Sequence, residues 1–600
     1  MKRKAKIYSS GKPKVSKNLD TRASPWIWIL AGILIAVFLG QNIYEMRRQS
    51  CSNDELVHLP AGYSYLVKRD FRLNPEHPPL LKEICALPLL FMQPKVDFTD
   101  PNWLQASSIS QWEFGHRFLY SNPARADQLL FWGRLPIVLL AGWLGFIIFR
   151  WAQQLYGNAA GLLALGLYAL CPNVIAHSHF ITTDMGVTAF LTISFYCLWR
   201  FAKEGKTRDL CFSGLSMGAA LASKYSALFL LPVALLFLWA FSRRMAPASA
   251  RLQKHGNQAL AGGERDRRDG KSSLDPDEFF PIGFWRGLFS FDRSKLKVVI
   301  IFLGLALLVV QLSYLGSLDP LLYPRGALQV NANHDPNYEY YLNGNFKAGG
   351  FAEYFLVAFL VKATAPFLIL IFIRLIFLLA NWERDWRQSI FLVVPAAALF
   401  VGVSVFAECL GVRYLLPLFP MMMVFSAGAL HFIKKKAALV FVWGLLGWHC
   451  VSSLASFPYS LSYFNEFAGG PSRGIYWLDD SNIDWGQELK EVKRYMDKNG
   501  VEIVKLLSFS PYDNPDYYGI RHIDLRKSEP SSSPAKIYAI SAHSIVRLKQ
   551  QGVDILAQMT MVGHLGYSMY ILNTLKWASQ HRALQPIAGT DSAAGSEQTF

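Results

Sequence analysis

The stretch VVIIFLGLALLVVQLSYLG, residues 298–316, decides the fold class of this chain. It carries no charged residue, and it is about as long as a helix must be to cross the apolar core of a bilayer. A second stretch of the same kind, WIWILAGILIAVFLG, begins at Trp26. Both patterns indicate helices that span a membrane.

The composition extends this interpretation to the whole chain. Hydrophobic residues make up 52% of the 600 residues and charged residues only 17%, whereas soluble domains carry about 25% charged residues. We therefore predict an α-helical polytopic membrane protein with about eleven spans. The predicted spans lie near residues 26–44, 129–149, 158–176, 185–202, 209–222, 225–242, 297–315, 352–380, 389–407, 413–432 and 437–456.

The net charge of +17 is distributed in a way that argues against a nucleic-acid partner. Eight Lys and Arg residues fall in the first 22 positions, and others concentrate in short loops between the apolar runs. Basic residues in such positions keep the ends of spans in the cytoplasm. We therefore predict a multi-pass protein of the inner or plasma membrane, with its basic amino terminus, residues 1–25, in the cytoplasm.

Alternation of the spans assigns sides to the loops within the spanning region, residues 26–456. The loop 243–297 falls inside and has the composition of a disordered segment, whereas the loops 45–128 and 316–351 fall outside. The segment 457–600 also lies outside. A helix-like stretch in this segment ends at Gly500, and the strand-like stretches VEIVKLLSFS, AKIYAIS and YSMYIL follow. They predict a small α/β domain with a disordered tail.

Residues that can carry chemistry concentrate at the exit of the first span. The stretch NDELVH begins at Asn53, and PEHPPLLK follows about twenty residues later. The loop therefore holds adjacent carboxylates at Asp54 and Glu55, and Glu76 directly before His77. The predicted topology brings further charged residues to the same face of the membrane, namely Arg134, Asp184, Lys224, Glu408 and Arg413.

Such a set suits the transfer of a group from a lipid phosphate. Cations at helix ends can hold an anionic phosphate at the level of the lipid headgroups. A carboxylate can accept the proton of an attacking hydroxyl group. Nearby carboxylates also stabilise the positive charge that develops on a departing sugar. The residues therefore favour a glycosyl transfer at the outer face.

The acidic residues and the histidine also have structural interpretations. Asp54 and Glu55 could form a solvated pair in a loop. Asp184 follows two threonines and could cap a helix. His77 precedes two prolines and could lie in a turn. The residues alone leave these alternatives open.

The basic residues have alternatives as well. Interfacial anchoring is a common role of Arg and Lys at the ends of spans, and it would explain Arg134, Lys224 and Arg413. Lys362 is different, because it lies within the apolar run LVAFLVKATAPFLIL. A lysine in the middle of a span is costly without a partner. We therefore expect Lys362 to face a cavity or an acid.

These motifs resemble a known family. DELVH followed by PEHPPLLK resembles the first outer loop of protein O-mannosyltransferases, and it is similar to that of the bacterial aminoarabinose transferase that modifies lipid A. Both are GT-C-type glycosyltransferases, which use polyprenyl-phosphate sugars as donors. The resemblance covers most of residues 26–490. The later stretches that carry it are IAHSHFITTDMGVTAFLTISFY, SKYSALFLLP, GVRYLLPLFP and YFNEFAGGPSRGIYWLDDSNIDWGQEL.

The resemblance implies roles for the candidate residues. Asp54 would be the base or would orient the acceptor hydroxyl, with Glu55 beside it. Arg413, Arg134 or Lys224 would hold the donor phosphate. The other candidates for substrate binding are Asp184, His77, Glu76 and Lys362.

The resemblance also implies a reaction and its partners. A sugar would pass from a polyprenyl-phosphate donor to a hydroxyl group on a protein, a lipid or a glycan, in a single inverting displacement. Because the phosphate leaves already charged, no cofactor is required. Glu76 matches a residue that binds a metal ion in the aminoarabinose transferase, so a divalent metal is the open alternative, although His77 here replaces the lysine that follows that glutamate.

Two functions of other classes stay open. A transporter or flippase of lipid-linked sugars would carry acids near the bilayer midplane and pairs of broken helices, whereas the acids here fall in loops at one face. A non-catalytic envelope-assembly protein would bind through its outer domain. That function gives no reason for an Asp-Glu pair near a His-Pro-Pro run.

Overall fold

The computed structural model describes residues 24–107, 109–241, 293–332, 335–527 and 536–573. The first helices are α1 (Pro25–Arg48), α2 (Asn53–Lys68), α3 (Leu80–Ala86), α4 (Leu89–Met92), α5 (Pro101–Gln105), α6 (Ser110–Tyr120), α7 (Ala126–Tyr156), α8 (Asn158–Ala169), α9 (Pro172–His177), α10 (Asp184–Glu204), α11 (Thr207–Leu221) and α12 (Leu231–Phe241). They are followed by α13 (Arg293–Ser313), α14 (Leu322–Ala332), the hairpin β1 (Glu339–Leu342) and β2 (Asn345–Ala348), α15 (Tyr354–Lys362), α16 (Ala365–Ala380), α17 (Trp382–Phe406), α18 (Leu418–Ala427) and α19 (Lys436–Ser456).

The predicted polytopic helical fold is confirmed. Among the described residues, six helices are long and apolar enough to cross a membrane, namely α1, α7, α10, α13, α17 and α19. Helices also lie at the other predicted spans, but α8, α11, α12 and α18 are shorter than a full span. The prediction of about eleven spans therefore located the helices and overestimated how many have full length.

The predicted span 352–380 is broken in the middle. α15 and α16 meet at an angle of 111°. The reason is Pro366: in a continuous helix its nitrogen would donate to the carbonyl oxygen of Lys362, and proline has no N–H. That carbonyl instead accepts a hydrogen bond from Asn173 Nδ2 at 2.6 Å. If α15 and α16 form one bent span, the number of spans rises to seven.

The end of α1 and the starts of α7 and α10 meet at one end of the bundle, which we call the site end. The backbone N–H of Ile181, just before α10, donates to Glu55 Oε1 in α2 at 3.1 Å. Because α7 and α10 both start at the site end, α8 and α9 must return the chain across the bundle, although α8 has only 12 residues. α2 to α6 fold over the site end between α1 and α7.

After α19 the chain first forms a series of 3-10 turns, within residues 457–488, and then an α/β domain. This domain contains α20 (Leu489–Asn499), β3 (Val504–Leu507), β4 (His522–Asp524), β5 (Ile537–Ser541), α21 (Ala542–Gln550), α22 (Ile555–Gln558), β6 (Thr560–Leu565) and β7 (Met569–Asn573). The sheet order is β4-β3-β5-β7-β6. β3 is parallel to both neighbours, and β7 is antiparallel to both of its own.

The predicted elements of this domain are confirmed. α20 ends at Gly500, whose φ of 63° lies in the left-handed region that favours glycine. The three predicted strands are β3, β5 and β7. The predictions for the amino terminus, for most of the loop 243–297 and for the tail lie outside the described residues.

Candidate active site

Asp54 and Arg413 form a buried ion pair at the site end. Asp54 lies in the first turn of α2, where the positive end of the helix dipole favours a carboxylate. Arg413 lies in a 3-10 turn, Val412–Leu415, shortly after α17. Its Nη1 donates to Asp54 Oδ2 at 2.7 Å, and each side chain is only 5% exposed. The fold thus brings together two predicted site residues that are 359 positions apart in the sequence.

Arg413 keeps unused hydrogen-bonding capacity. Its Nε is buried and has no hydrogen-bond partner among the described residues. The guanidinium lies over the ring of Trp485, 4.6 Å from the ring centroid, and 5.6 Å from that of Tyr414. A buried donor without a partner costs about 1–3 kcal/mol. The arrangement is therefore suited to receiving an anionic group beside Arg413.

Asp184 and Lys224 form a second buried ion pair beside the first. Lys224 Nζ donates to Asp184 Oδ1 at 2.6 Å and lies 4.4 Å from the ring centroid of Tyr414, which also contacts Arg413. Burial lowers the pKa of Lys224, and the Asp184 carboxylate opposes that effect. Asp184 is the first residue of α10, and the cap position belongs to Thr183. The contact with Lys224 therefore replaces the capping role that the sequence left open.

Glu55 and Arg134 form a third ion pair, in which every nitrogen of the guanidinium is engaged. Nε and Nη2 of Arg134 donate to the two oxygens of Glu55, both at 2.6 Å. Nη1 and Nη2 also donate to the carbonyl oxygens of Met46 and Ser50, at 2.6 and 2.7 Å. The two side chains are 1% and 0% exposed. These contacts favour a structural role, and the catalytic role of Glu55 and phosphate binding by Arg134 stay predictions.

Glu76 and His77 lie close to the ion pairs but bind other groups. Glu76 Oε2 accepts a hydrogen bond from Asn74 Nδ2 at 3.0 Å, and burial raises the pKa of Glu76. The ring of His77 lies 5.4 Å from that of His58, and its Nδ1 is 2.6 Å from the carbonyl oxygen of Glu76. Burial lowers the pKa of His77 well below its usual value. His77 therefore contributes a neutral imidazole to this region.

The surroundings of Glu76 do not fit a metal ion. Within the part of the chain that the structure describes, no group of three or more His, Cys, Asp or Glu side chains could hold one. A cation already occupies this region, because Lys82 Nζ donates to Asn74 Oδ1 at 2.9 Å and to the Asn74 carbonyl oxygen at 2.6 Å. A role for a divalent metal in the reaction stays an untested prediction.

Lys362 donates hydrogen bonds to backbone carbonyl groups, whereas a cavity or an acid was expected. Its Nζ donates to the carbonyl oxygens of Leu461 and Asn482 at 2.7 and 2.5 Å, and it lies 4.5 Å from the ring centroid of Phe464. The expectation was wrong because the helix ends at Lys362, where the chain bends, and the 3-10 turns after α19 supply the partners. Glu408, the remaining predicted acid, lies half-buried between α17 and the turn that holds Arg413.

Trp485 contacts both sides of the Asp54–Arg413 pair, and the sequence did not single it out. Its ring stacks on Arg413, and its carbonyl oxygen accepts a hydrogen bond from the N–H of Asn53, the first residue of α2, at 3.0 Å. Phe180 packs against the same ring, with the centroids 5.6 Å apart. Trp485 is 1% exposed. The segment that follows the last span therefore forms part of the site.

A cavity of about 750 Å³ opens beside His77. His77 and Pro79 line it on the side of the site, and Tyr65, Phe71 and Tyr314 provide aromatic surface. This volume lies within the range of small-molecule sites. The cavity therefore offers space for a small molecule beside His77, although none of the six ion-pair residues lines it.

Residues 127–252 match the family model of the dolichyl-phosphate-mannose-protein mannosyltransferases. The matched segment carries Arg134, Asp184 and Lys224, which are three of the six members of the ion pairs. No curated protein matches the sequence significantly.

Several solved structures match large parts of this chain at low sequence identity. Ligand-free ArnT from Cupriavidus metallidurans is 12% identical, covers 93% of this chain and 99% of its own, and has a TM-score of 0.42. The same protein bound to undecaprenyl phosphate is 11% identical over 93% of this chain and 100% of its own, with a TM-score of 0.39. The ligand-free oligosaccharyltransferase of Archaeoglobus fulgidus is 12% identical over 72% of this chain and 54% of its own, with a TM-score of 0.41.

The matched residues include the stretches IAHSHFITTDMGVTAFLTISFY and SKYSALFLLP, which carry the resemblance in the sequence. The chain is therefore a protein with several helices long and apolar enough to cross a membrane, and its residues 127–252 are similar to the dolichyl-phosphate-mannose-protein mannosyltransferases.

Proposed function

We propose that the protein transfers a sugar from a polyprenyl-phosphate donor to a hydroxyl group of a protein, lipid or glycan acceptor. One observation carries the proposal: the carboxylate of Asp54 lies 2.7 Å from a guanidinium whose Nε has no partner in the described part of the chain. A base and a phosphate-binding group thus lie side by side. The matched family is named for a dolichyl-phosphate-linked donor, which supports a donor of this class.

The cations bind the donor. The free side of the Arg413 guanidinium hydrogen-bonds to the phosphate oxygens, and the Lys224 ammonium on the other side of Tyr414 adds a second positive charge. Both side chains are buried, so water screens these interactions poorly. The phosphate is therefore held with the anomeric carbon of the sugar directed towards Asp54.

The displacement then needs no further group. The acceptor oxygen attacks the anomeric carbon from the side opposite the phosphate, and its proton passes to Asp54 as the new bond forms. The bond between the anomeric carbon and the phosphate oxygen breaks, and its electron pair leaves with the polyprenyl phosphate. The negative charges of Asp54 and Asp184 stabilise the oxocarbenium character of the sugar. A single displacement of this kind inverts the anomeric configuration.

Arg413→Lys is expected to weaken donor binding about 10- to 100-fold while the protein stays folded. Lysine keeps the positive charge but offers a point charge in place of a planar fork of donors, and a hydrogen bond to a charged group is worth about 1.5–3 kcal/mol. The measurement is equilibrium binding of a defined polyprenyl-phosphate sugar to the purified variant. Unchanged affinity would move the phosphate site to Lys224 or Arg134.

Trp485→Leu is expected to lower donor affinity about 10-fold, because stacking on a desolvated cation is worth about 1–2 kcal/mol. Trp485→Phe should recover part of the loss, since the phenyl ring keeps an aromatic face. Trp151→Leu is the matched control, because Trp151 is equally buried but lies in α7 and packs on Tyr196. Equal donor affinities in the two leucine variants would show that Trp485 does not position Arg413.

We also propose that the site end faces outward, with the amino terminus in the cytoplasm and the α/β domain outside. The basic amino terminus and the basic loop 243–297 support this orientation. Reporter fusions after Lys436 and after Gly470 should therefore report opposite sides of the membrane. Two reports from the same side would contradict the proposed topology.

The proposed reaction can be tested in cells. Mass spectrometry should detect a glycan, glycolipid or glycoprotein that disappears from a deletion strain and returns with the wild-type protein but not with Asp54→Asn. A flippase would tolerate Asp54→Asn, because moving an intact lipid-linked sugar needs no base. Restoration of the full product level by Asp54→Asn would contradict the role of Asp54 as the base, and an unchanged product in the deletion strain would contradict the proposed transferase.

A further inference from the structure

We infer that a groove between α1 and α7 at the site end binds an anionic phospholipid. A cavity of about 300 Å³ lies where α1 ends and α7 begins. Its basic lining residues are Arg47, Arg125, Arg134 and Lys490, and its only acidic lining residue is Asp127. The cavity is thus strongly cationic, and it is separate from the 750 Å³ cavity beside His77.

Two of the four cations are already neutralised. Lys490 Nζ lies 2.7 Å from Asp127 Oδ1, and Arg134 is engaged with Glu55. Arg47 and Arg125 form no ion pair with any described residue. Both are exposed, and the Arg47 guanidinium lies 5.1 Å from the ring centroid of Phe131. The cavity therefore presents two uncompensated positive charges at the end of two spans.

Apolar side chains on both helices lead away from these charges. They recur at helical spacing and are largely exposed, although they belong to helices that can span a membrane. They are Ile33 and Val37 on α1 and Trp132, Leu139 and Trp143 on α7. A lipid headgroup at Arg47 and Arg125 would place its acyl chains along these rows.

The ligand is a phospholipid rather than the sugar donor, because the cavity does not open into the active site. Of the residues in the three buried ion pairs, only Arg134 lines this cavity, and Arg134 is 1% exposed and engaged with Glu55. Basic pockets between spans bind anionic headgroups in this manner. The cations also lie at the end that we propose to be outside, where spans ordinarily carry few of them. Binding of an anionic headgroup gives Arg47 and Arg125 a function at this end.

Native mass spectrometry of the purified full-length protein can test the site. The probes are palmitoyl-oleoyl phosphatidylglycerol and, as the neutral comparison, palmitoyl-oleoyl phosphatidylcholine. We expect wild type to prefer phosphatidylglycerol, and R47Q/R125Q to bind it about 30-fold more weakly, since each cation near a membrane surface contributes about fivefold. R47K/R125K should keep most of the affinity, because the headgroup attraction depends mainly on charge.

The matched control is K68Q/R69Q, which removes two exposed cations from the same end of the protein, outside this cavity. It should leave phosphatidylglycerol binding unchanged. Equal melting temperatures of R47Q/R125Q and wild type in lipid-free detergent would show that the variant is folded. Three results would overturn the inference. They are an equal loss of phosphatidylglycerol binding in R47Q/R125Q and K68Q/R69Q, no preference of wild type for phosphatidylglycerol over phosphatidylcholine, and displacement of bound phosphatidylglycerol by equimolar undecaprenyl phosphate.

Discussion

Asp54→Asn is expected to lower the single-turnover rate of sugar transfer about 10²- to 10⁴-fold, the usual cost of losing a general base. Asparagine is nearly isosteric, and its amide oxygen can still accept the hydrogen bond from Arg413, so folding and donor binding should survive. It cannot accept the proton of the acceptor hydroxyl. The measurement is rapid-quench transfer from a defined polyprenyl-phosphate sugar, with donor affinity measured separately.

The control for this variant is Asp97→Asn in the same loop, where the carboxylate accepts hydrogen bonds from Thr99. That variant should keep wild-type turnover. If Asp54→Asn retained more than about half of the wild-type rate with unchanged donor affinity, Asp54 would not be the base. The Asp54–Arg413 pair would then be a structural contact.

Arg134→Gln is expected to lower the free energy of unfolding by about 3–5 kcal/mol, because it leaves the buried carboxylate of Glu55 without its counter-ion. Glu55→Gln should lower the free energy of unfolding by a similar amount, because it leaves the buried guanidinium of Arg134 without its counter-ion. The double variant Glu55→Gln with Arg134→Gln should lose less than the sum, since neither charge is then left alone. The measurement is unfolding of the purified variants in detergent, induced by heat or by denaturant, which ranks their free energies of unfolding.

The control here is Arg325→Gln, which removes the ion pair of Arg325 with Asp319 at 2.7 Å, where the side chains are 62% and 37% exposed. Exposed pairs contribute about 0–1 kcal/mol. Similar melting temperatures for Arg134→Gln and Arg325→Gln would contradict a structural role of the Glu55–Arg134 pair. A normal melting temperature with lost donor affinity would instead support the predicted contact of Arg134 with the phosphate.

The position of the helices could be predicted from apolar runs, because a membrane imposes length and composition on a span. The bend at Lys362 was missed, although Pro366 gave the local signal. Its effect depends on Asn173, which accommodates the freed carbonyl and comes from a distant part of the chain. The predicted span 158–176 was located, but its break between α8 and α9 was missed for a related reason: apolar content does not reveal where a helix breaks.

The candidate site was predictable as a set of residue types but not as a set of pairs. Sequence reasoning placed Asp54, Asp184, Lys224 and Arg413 on one face, and the structure joins them in two adjacent ion pairs. Sequence reasoning could not predict the ion pair between Arg134 and Glu55, because partners 79 positions apart leave no local pattern. Trp485 was missed because the segment after α19 was assigned to a separate outer domain.

The central claim is that the protein breaks the bond between a sugar and a polyprenyl phosphate. The most direct test incubates the purified protein with a panel of defined polyprenyl-phosphate sugars and an envelope extract as acceptor, and follows free polyprenyl phosphate by mass spectrometry. We expect one donor to release polyprenyl phosphate with wild type and not with Asp54→Asn, and the transferred sugar to carry the inverted anomeric configuration. Recovery of every donor intact, or its passage across proteoliposomes with the sugar–phosphate bond unbroken, would contradict the claim.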